Sequence, residues 1–238
     1  MAIVGQKLAR PAPSDDELHT GDRMTREEFH RLYERTPPGF KAELVGGIVY
    51  VSSPLKRQHS NPHVLLGTVF GTYKLHTPGV ESGDNGTILL GDEGEPQPDL
   101  YLRILPEFGG QSKTTPDDYV EGAPELLAEI AASKRSLDLH GKHDDYRRYG
   151  VLEYLVLCVR ERQMRWFDLR TGRETPIDDD GIIRVRSFPG LWIDVAALLN
   201  EDARLIRVLE QGLATPEHGA FVRRLAQART KMKKKSGS

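Results

Sequence analysis

Two carboxylates stand out because of where they sit in the chain. Glu129 lies inside PELLAEIAA (124–132), a nearly unbroken apolar run. A run of that length reads as a strand buried on both faces, where a charge is costly unless it is paired or binds a cation. Asp99 follows Pro98 at the head of PDLYLRI (98–104), an alternating segment. Taken singly, each has an ordinary reading. Glu129 fits a strand end turned to solvent or to an arginine, and Asp99 fits a strand-edge aspartate. On neighbouring strands, however, they would supply the paired oxygen ligands that a hard cation such as Mg²⁺ takes. Such an ion lowers the pKa of a bound water and offsets charge on a reacting phosphoryl group. A nearby lysine would orient the nucleophile and add to that stabilisation.

Other residues could join this chemistry. Asp138 and Lys142 are four apart in a helical segment and can face one side, an arrangement that also describes a plain surface ion pair. Tyr146 follows four residues on along the same face, where packing is an equal reading, and Lys134 lies in the loop after the apolar run. His59 falls just before the second helix and His63 four residues further on, His59 being the stronger candidate. His140 and His143 flank Lys142, but with no third nitrogen ligand they make thin evidence for a transition metal. Cys158, the single cysteine, sits mid-strand among Leu and Val and reads as a buried structural thiol. No G-x-S-x-G elbow, P-loop or dinucleotide fingerprint is present.

The elements that must position these residues alternate between helix and strand. Thr25-Arg26-Glu27-Glu28 is a capping box that starts a helix, ended by Pro37-Pro38. Residues 42–52 read as a hairpin around Gly46-Gly47, and residues 60–76 carry apolar positions at helical spacing. A short strand is predicted at 87–90, a long loop over 105–123, and a helix from about 137 to 149 that ends at Gly150. Residues 151–159 and 163–169 make a strand pair, and 182–199 close the domain. The organisation predicted is a mobile arm over 1–23, an α/β domain over 24–200, a helical extension over 201–230 and a basic disordered tail over 231–238.

Composition narrows the function classes. At 238 residues with 38% hydrophobic and 29% charged, the chain can bury a core as a soluble globular protein, and no stretch is apolar enough to span a membrane. The lone cysteine and the polar N-terminal sequence point to a reducing, cytoplasmic setting. Net charge is −2, yet residues 201–238 hold nine Lys/Arg against four Asp/Glu, so residues 1–200 carry −7. Tight non-specific DNA binding needs many basic phosphate contacts. This balance argues against a DNA-coating protein and leaves a metal enzyme open.

The ordered series AELVGG at 42–47, PD at 98–99, PELLAEIAAS at 124–133 and DLHGKHDDYRRYGVLEY at 138–154 resembles the Uma-two family. That family is grouped with restriction endonucleases in the PD-(D/E)xK nuclease superfamily. The resemblance covers about residues 25–200. It implies a restriction-endonuclease-like α/β core, a mixed central β-sheet flanked by α-helices, with a helical C-terminal extension. Asp99 would be the motif's aspartate, Glu129 the acidic residue of its second half, and Glu43 an upstream acidic position able to hold a second metal or its waters. The motif's lysine would fall at position 131, which is alanine. The resemblance implies that this lysine is displaced to the following helix, which points to Lys142, with Lys134 as the fallback. Tyr146 matches a recurrent tyrosine, and His59 a histidine facing the site. The function implied is a Mg²⁺- or Mn²⁺-dependent endonuclease acting on nucleic acid, DNA foremost. Asp99, Glu129 and the backbone carbonyl of Ile130 would hold the ion, and the extension would serve a homodimer. Two rivals stay open: a catalytically decayed nuclease fold used as a binding module, and a hydrolase of a small phosphodiester.

Overall fold

The computed structural model describes residues 17–54, 56–131 and 137–236. In chain order the elements are α1 (Arg26–Tyr33), β1 (Ala42–Val45), β2 (Ile48–Val51), α2 (Arg57–His76), β3 (Val80–Asp84), β4 (Ile88–Leu89), β5 (Leu100–Ile104), β6 (Lys113–Thr114), β7 (Val120–Glu121) and β8 (Leu126–Ala131). There follow α3 (Lys142–Tyr149), β9 (Glu153–Cys158), β10 (Gln163–Asp168), β11 (Arg173–Glu174), β12 (Ile182–Arg184), β13 (Trp192–Asp194), α4 (Val195–Asn200), α5 (Arg204–Leu213) and α6 (Pro216–Ser236).

Six strands make the central sheet, in the order β11-β10-β9-β8-β5-β3. β8 runs parallel to β9 and antiparallel to β5, so the sheet is mixed and β8 lies in its middle. All six residues of β8 are buried, as the continuous apolar run predicts. Strand alternation assigns its two faces. Leu126, Ala128 and Ile130 join the core with Leu66, Phe70 and Tyr73 of α2 and Leu205, Leu209, Phe221 and Leu225 of α5 and α6. Leu127 and Ala131 pack on the opposite face with Tyr146 of α3, Tyr154 and Phe167. Glu129, between Leu127 and Ala131, therefore projects on the α3 face. Cys158 is buried on that same face, as its apolar neighbours predict.

Local chemistry explains the elements that carry the site. Thr25 accepts a hydrogen bond from the Glu28 N–H and caps α1. The β1–β2 hairpin turns through Gly46 and Gly47 at φ 57° and 71°, the left-handed conformation that a two-residue turn with φ positive at both positions requires. A π-helical turn, Leu137–Gly141, leads into α3, which stops at Gly150 with φ 94°.

Two segments depart from the sequence-based organisation. Residues 18–24, placed in the mobile arm or at its border, line the hairpin. Leu18 is buried beside Phe29 and Val49, and Gly21 N–H donates to the Val49 carbonyl while Val49 N–H donates to that of Asp22. These are backbone bonds, which residue types do not advertise. The basic stretch from 231 through 236 continues α6 rather than forming a disordered tail. Leu205, Val208, Leu209, Phe221 and Leu225 are buried, so the helical extension packs on its own domain. The predicted loop over 105–123 contains a 3₁₀ turn at Pro106–Phe108 and the short strands β6 and β7, which with β4 form a small three-stranded sheet. No helix among the described residues is long and apolar enough to cross a membrane.

Candidate active site

Asp99 precedes β5 by one residue. Leu100 pairs with Ala128, so continuing that antiparallel register by one step sets Asp99 opposite Glu129. Residues directly opposite in such a ladder put their side chains on one face, with Cβ atoms about 5 Å apart. The Ile130 N–H donates to Asp99 Oδ2 at 2.6 Å and fixes the carboxylate against β8. His59 Nε2 is 3.2 Å from the same oxygen, and His63 Nδ1 is 3.9 Å from Oδ1. Burial pushes the Asp99 carboxyl up. The hydrogen bond and charge of His59, the Ile130 N–H and His63 together outweigh it, holding the group below the usual aspartate value. Asp99 is thus ionised and oriented at neutral pH.

The second half of the site is assembled from three elements. Lys142, the first residue of α3, is only 3% exposed. Its Nζ lies 2.8 Å from Glu129 Oε1 of β8 and 2.8 Å from Glu43 Oε2 of β1. Tyr146, one turn along α3, donates its hydroxyl to Glu129 Oε1 at 3.1 Å while its ring packs edge-on against Tyr154. The hairpin that carries Glu43 is tied down on two sides. Asp145 accepts from the Gly46 N–H, and Leu44 exchanges backbone hydrogen bonds with Glu95. Glu95 is fully buried and bonded to His30 Nδ1 at 2.8 Å.

These groups line a cleft of about 270 Å³. Its floor holds Glu43, Asp99, Glu129, Lys142 and His59, all buried. Exposed Lys41, Lys56 and Arg160 also line it, so cations rim a carboxylate-rich interior. Three formal negative charges meet one buried ammonium. Glu43 Oε2, although close to Lys142, is buried without a directed hydrogen bond. An oxygen-rich donor set with surplus negative charge fits a hard divalent cation.

The structure brings Glu43, Asp99, Glu129, Lys142 and His59 to one cleft, with Tyr146 buried behind Glu129. It does not make one ion-sharing group of the three carboxylates. Among the described residues, the donor atoms close enough for a common ion, all within 4.8 Å of one another, belong to His59, His63 and Asp99. Lys134 lies outside the described residues, as does the side chain of Asp138. His140 is exposed, and the His143 ring packs against Phe167 rather than joining that group. Asp84 escapes any sequence reading. Its place at the site depends on β3 pairing with β5, where it meets Leu100, and on its Oδ1 lying 3.2 Å from His63 Nε2. The rim cations Lys41, Lys56 and Arg160 are equally silent in sequence, because they converge from separate loops.

The fold is a mixed α/β sheet flanked by helices, with opposed carboxylates on its middle strands and a lysine reaching them from α3. The chain belongs to the Uma2 family, described as “Putative restriction endonuclease”, whose model matches residues 26–196. Its fold is similar to that of a solved structure described as “a putative nuclease belonging to DUF820” from Anabaena variabilis ATCC 29413. That likeness has a TM-score of 0.56 and 14% identity, and it covers 80% of this chain and 99% of the other. No protein of curated function matches the chain.

Proposed function

We propose that this protein is a divalent-metal-dependent endonuclease that hydrolyses phosphodiester bonds in DNA. The observation that carries the reading is the opposition of Asp99 and Glu129 across β5 and β8, with Lys142 reaching Glu129 at 2.8 Å from α3. Asp99, Glu129 and the Ile130 carbonyl would hold the ion, with Glu43 beside them. When bound, it would supply Lewis acidity and a water of lowered pKa.

The chain's own groups do the rest. Lys41, Lys56 and Arg160 at the rim bind backbone phosphates and orient the strand over the cleft. Lys142 positions the attacking water and offsets charge as it builds on the phosphoryl oxygens. Tyr146 and Glu43 keep Lys142 and Glu129 in place, so the ammonium needs no rearrangement during reaction. No covalent intermediate on the protein is needed.

The test is nicking and linearisation of supercoiled plasmid with Mg²⁺ or Mn²⁺, comparing wild type with Asp99→Asn and Glu129→Gln. Cleavage by wild type and a loss of at least about 10²-fold in both variants is the expected result. Undiminished cleavage in both would remove the assignment. The −7 charge of residues 1–200 favours one other reading, a hydrolase of small phosphodiesters. Turnover of a chromogenic phosphodiester with no plasmid cleavage would select it.

A further inference from the structure

We propose that His59, His63 and Asp99 form a binding site for one borderline transition-metal ion, of the Co²⁺, Ni²⁺ or Zn²⁺ class. The site shares Asp99 with the nuclease reading but stands whether or not the chain cuts DNA.

The geometry is that of a built site. His59 and His63 are four residues apart on α2 and present both rings to one side, with centroids 5.7 Å apart. Two imidazoles at that helical spacing are a recurrent way to hold one ion. All three residues are less than 9% exposed. His59 Nε2 already lies 3.2 Å from Asp99 Oδ2, and His63 Nδ1 needs only a small rotation from its 3.9 Å contact with Oδ1. The candidate ligand atoms all lie within 4.8 Å of one another, and metal–nitrogen bonds of about 2.0–2.1 Å would draw them closer together.

Two of the three ligands also have a polar group placed behind them. Asp84 Oδ1 stands 3.2 Å from His63 Nε2, where a small adjustment would complete the carboxylate–histidine hydrogen bond that strengthens the other nitrogen as a ligand. The Ile130 N–H fixes Asp99. His59 Nδ1 and His63 Nε2 are buried without a directed hydrogen bond, so protein groups alone leave both rings incompletely satisfied. Two nitrogen donors and one oxygen select a borderline metal over Mg²⁺. A second cleft, lined by His63, Asp84, Asn85 and Ser60, gives an entry path.

The experiment is calorimetric and spectroscopic titration of the chelator-stripped full chain with Co²⁺, in wild type, His63→Ala, Asp84→Asn and Glu129→Gln. Wild type is expected to take up one Co²⁺ with visible absorption bands typical of nitrogen ligation. His63→Ala should weaken binding at least about tenfold, and Asp84→Asn about 10- to 100-fold. Glu129→Gln should weaken Co²⁺ binding less than His63→Ala does, since Glu129 contributes no atom to this ligand set. Asp84 is a largely exposed side chain, so its variant keeps the test valid if His63→Ala folds poorly. Absence of Co²⁺ uptake, or binding lost in Glu129→Gln and kept in His63→Ala, overturns the proposal. Co²⁺ bound without plasmid cleavage would leave this site standing and remove only the nuclease reading. Mg²⁺-supported cleavage without Co²⁺ uptake would do the reverse.

Discussion

Lys142 Nζ lies 2.8 Å from Glu129 Oε1, although the two residues come from different elements and both are at least 95% buried. The ammonium reaches β8 from α3, while the strand position two residues beyond Glu129 carries the methyl group of Ala131. Glu43 closes the other side at 2.8 Å, so one buried cation serves two buried carboxylates.

Replacing Lys142 by Met keeps the volume and removes the charge. Losing one partner from a buried ion pair costs about 3–5 kcal/mol, because the remaining charge stays desolvated. We expect a loss of that order in urea unfolding. Millimolar Mn²⁺ should recover about half of it by supplying the missing positive charge, with a smaller gain in wild type. Equal stabilisation of the two proteins by Mn²⁺ would show that the ion does not engage Glu43 and Glu129.

Tyr146→Phe keeps the ring packed against Tyr154 and deletes only the hydroxyl that donates to Glu129 at 3.1 Å. Lys142 still holds that oxygen, so the stability cost should be about 1–2 kcal/mol. Mn²⁺ affinity and plasmid cleavage should fall together, because a less constrained Glu129 is a poorer ligand. A stability loss with both properties unchanged would limit Tyr146 to packing.

The parts of this site legible in sequence are those whose anomaly is local. Glu129 is visible because a charge interrupts an apolar strand, and the burial of β8 follows from the same run. Lys142 is not visible by periodicity. Its spacing from Asp138 equally fits a surface pair, and only the ordered family resemblance points to it. The opposition of Asp99 and Glu129 depends on the β5–β8 register, and the His63–Asp84 contact on that of β3 with β5. Such pairings join residues far apart in sequence, so no window contains them. Residues 18–24 escaped for a related reason, since backbone hydrogen bonds to β2 hold them and carry little residue-type signal.

Glu95 connects the hairpin to α1 and carries a pH dependence. Burial pushes its carboxyl above the usual 4.5, with the His30 hydrogen bond and charge and the Arg26 charge only partly opposing this. A raised folded value means the protonated form suits the fold better. That contribution is complete below pH 4.5 and is lost as pH rises through the raised value. Glu95→Gln keeps an acceptor for His30 and does not titrate. Wild type should therefore lose stability relative to the variant as pH rises from 4.5 towards neutrality, at up to about 1.4 kcal/mol per pH unit. A stability difference that stays flat across this range would contradict the raised value.

Glu153, at the start of β9, is fully buried and serves three donors: Trp166 Nε1 at 2.8 Å, Arg186 N–H at 3.2 Å and the Ser187 N–H. It therefore clasps the 186–187 turn, and the Phe188 ring that follows, onto the sheet beside β8. Each donor left buried without an acceptor costs about 1–3 kcal/mol. Glu153→Ala should lower unfolding free energy by more than about 3 kcal/mol. Glu153→Gln retains one acceptor oxygen and should lose less. Both follow from urea titration monitored by tryptophan fluorescence, since Trp166 reports directly on the clasp. A loss below about 1 kcal/mol in the alanine variant would mean that water replaces the carboxylate and that the turn is held by Phe188 alone. The effect is on the scaffold, so Co²⁺ affinity of the folded Glu153→Gln protein should remain that of wild type.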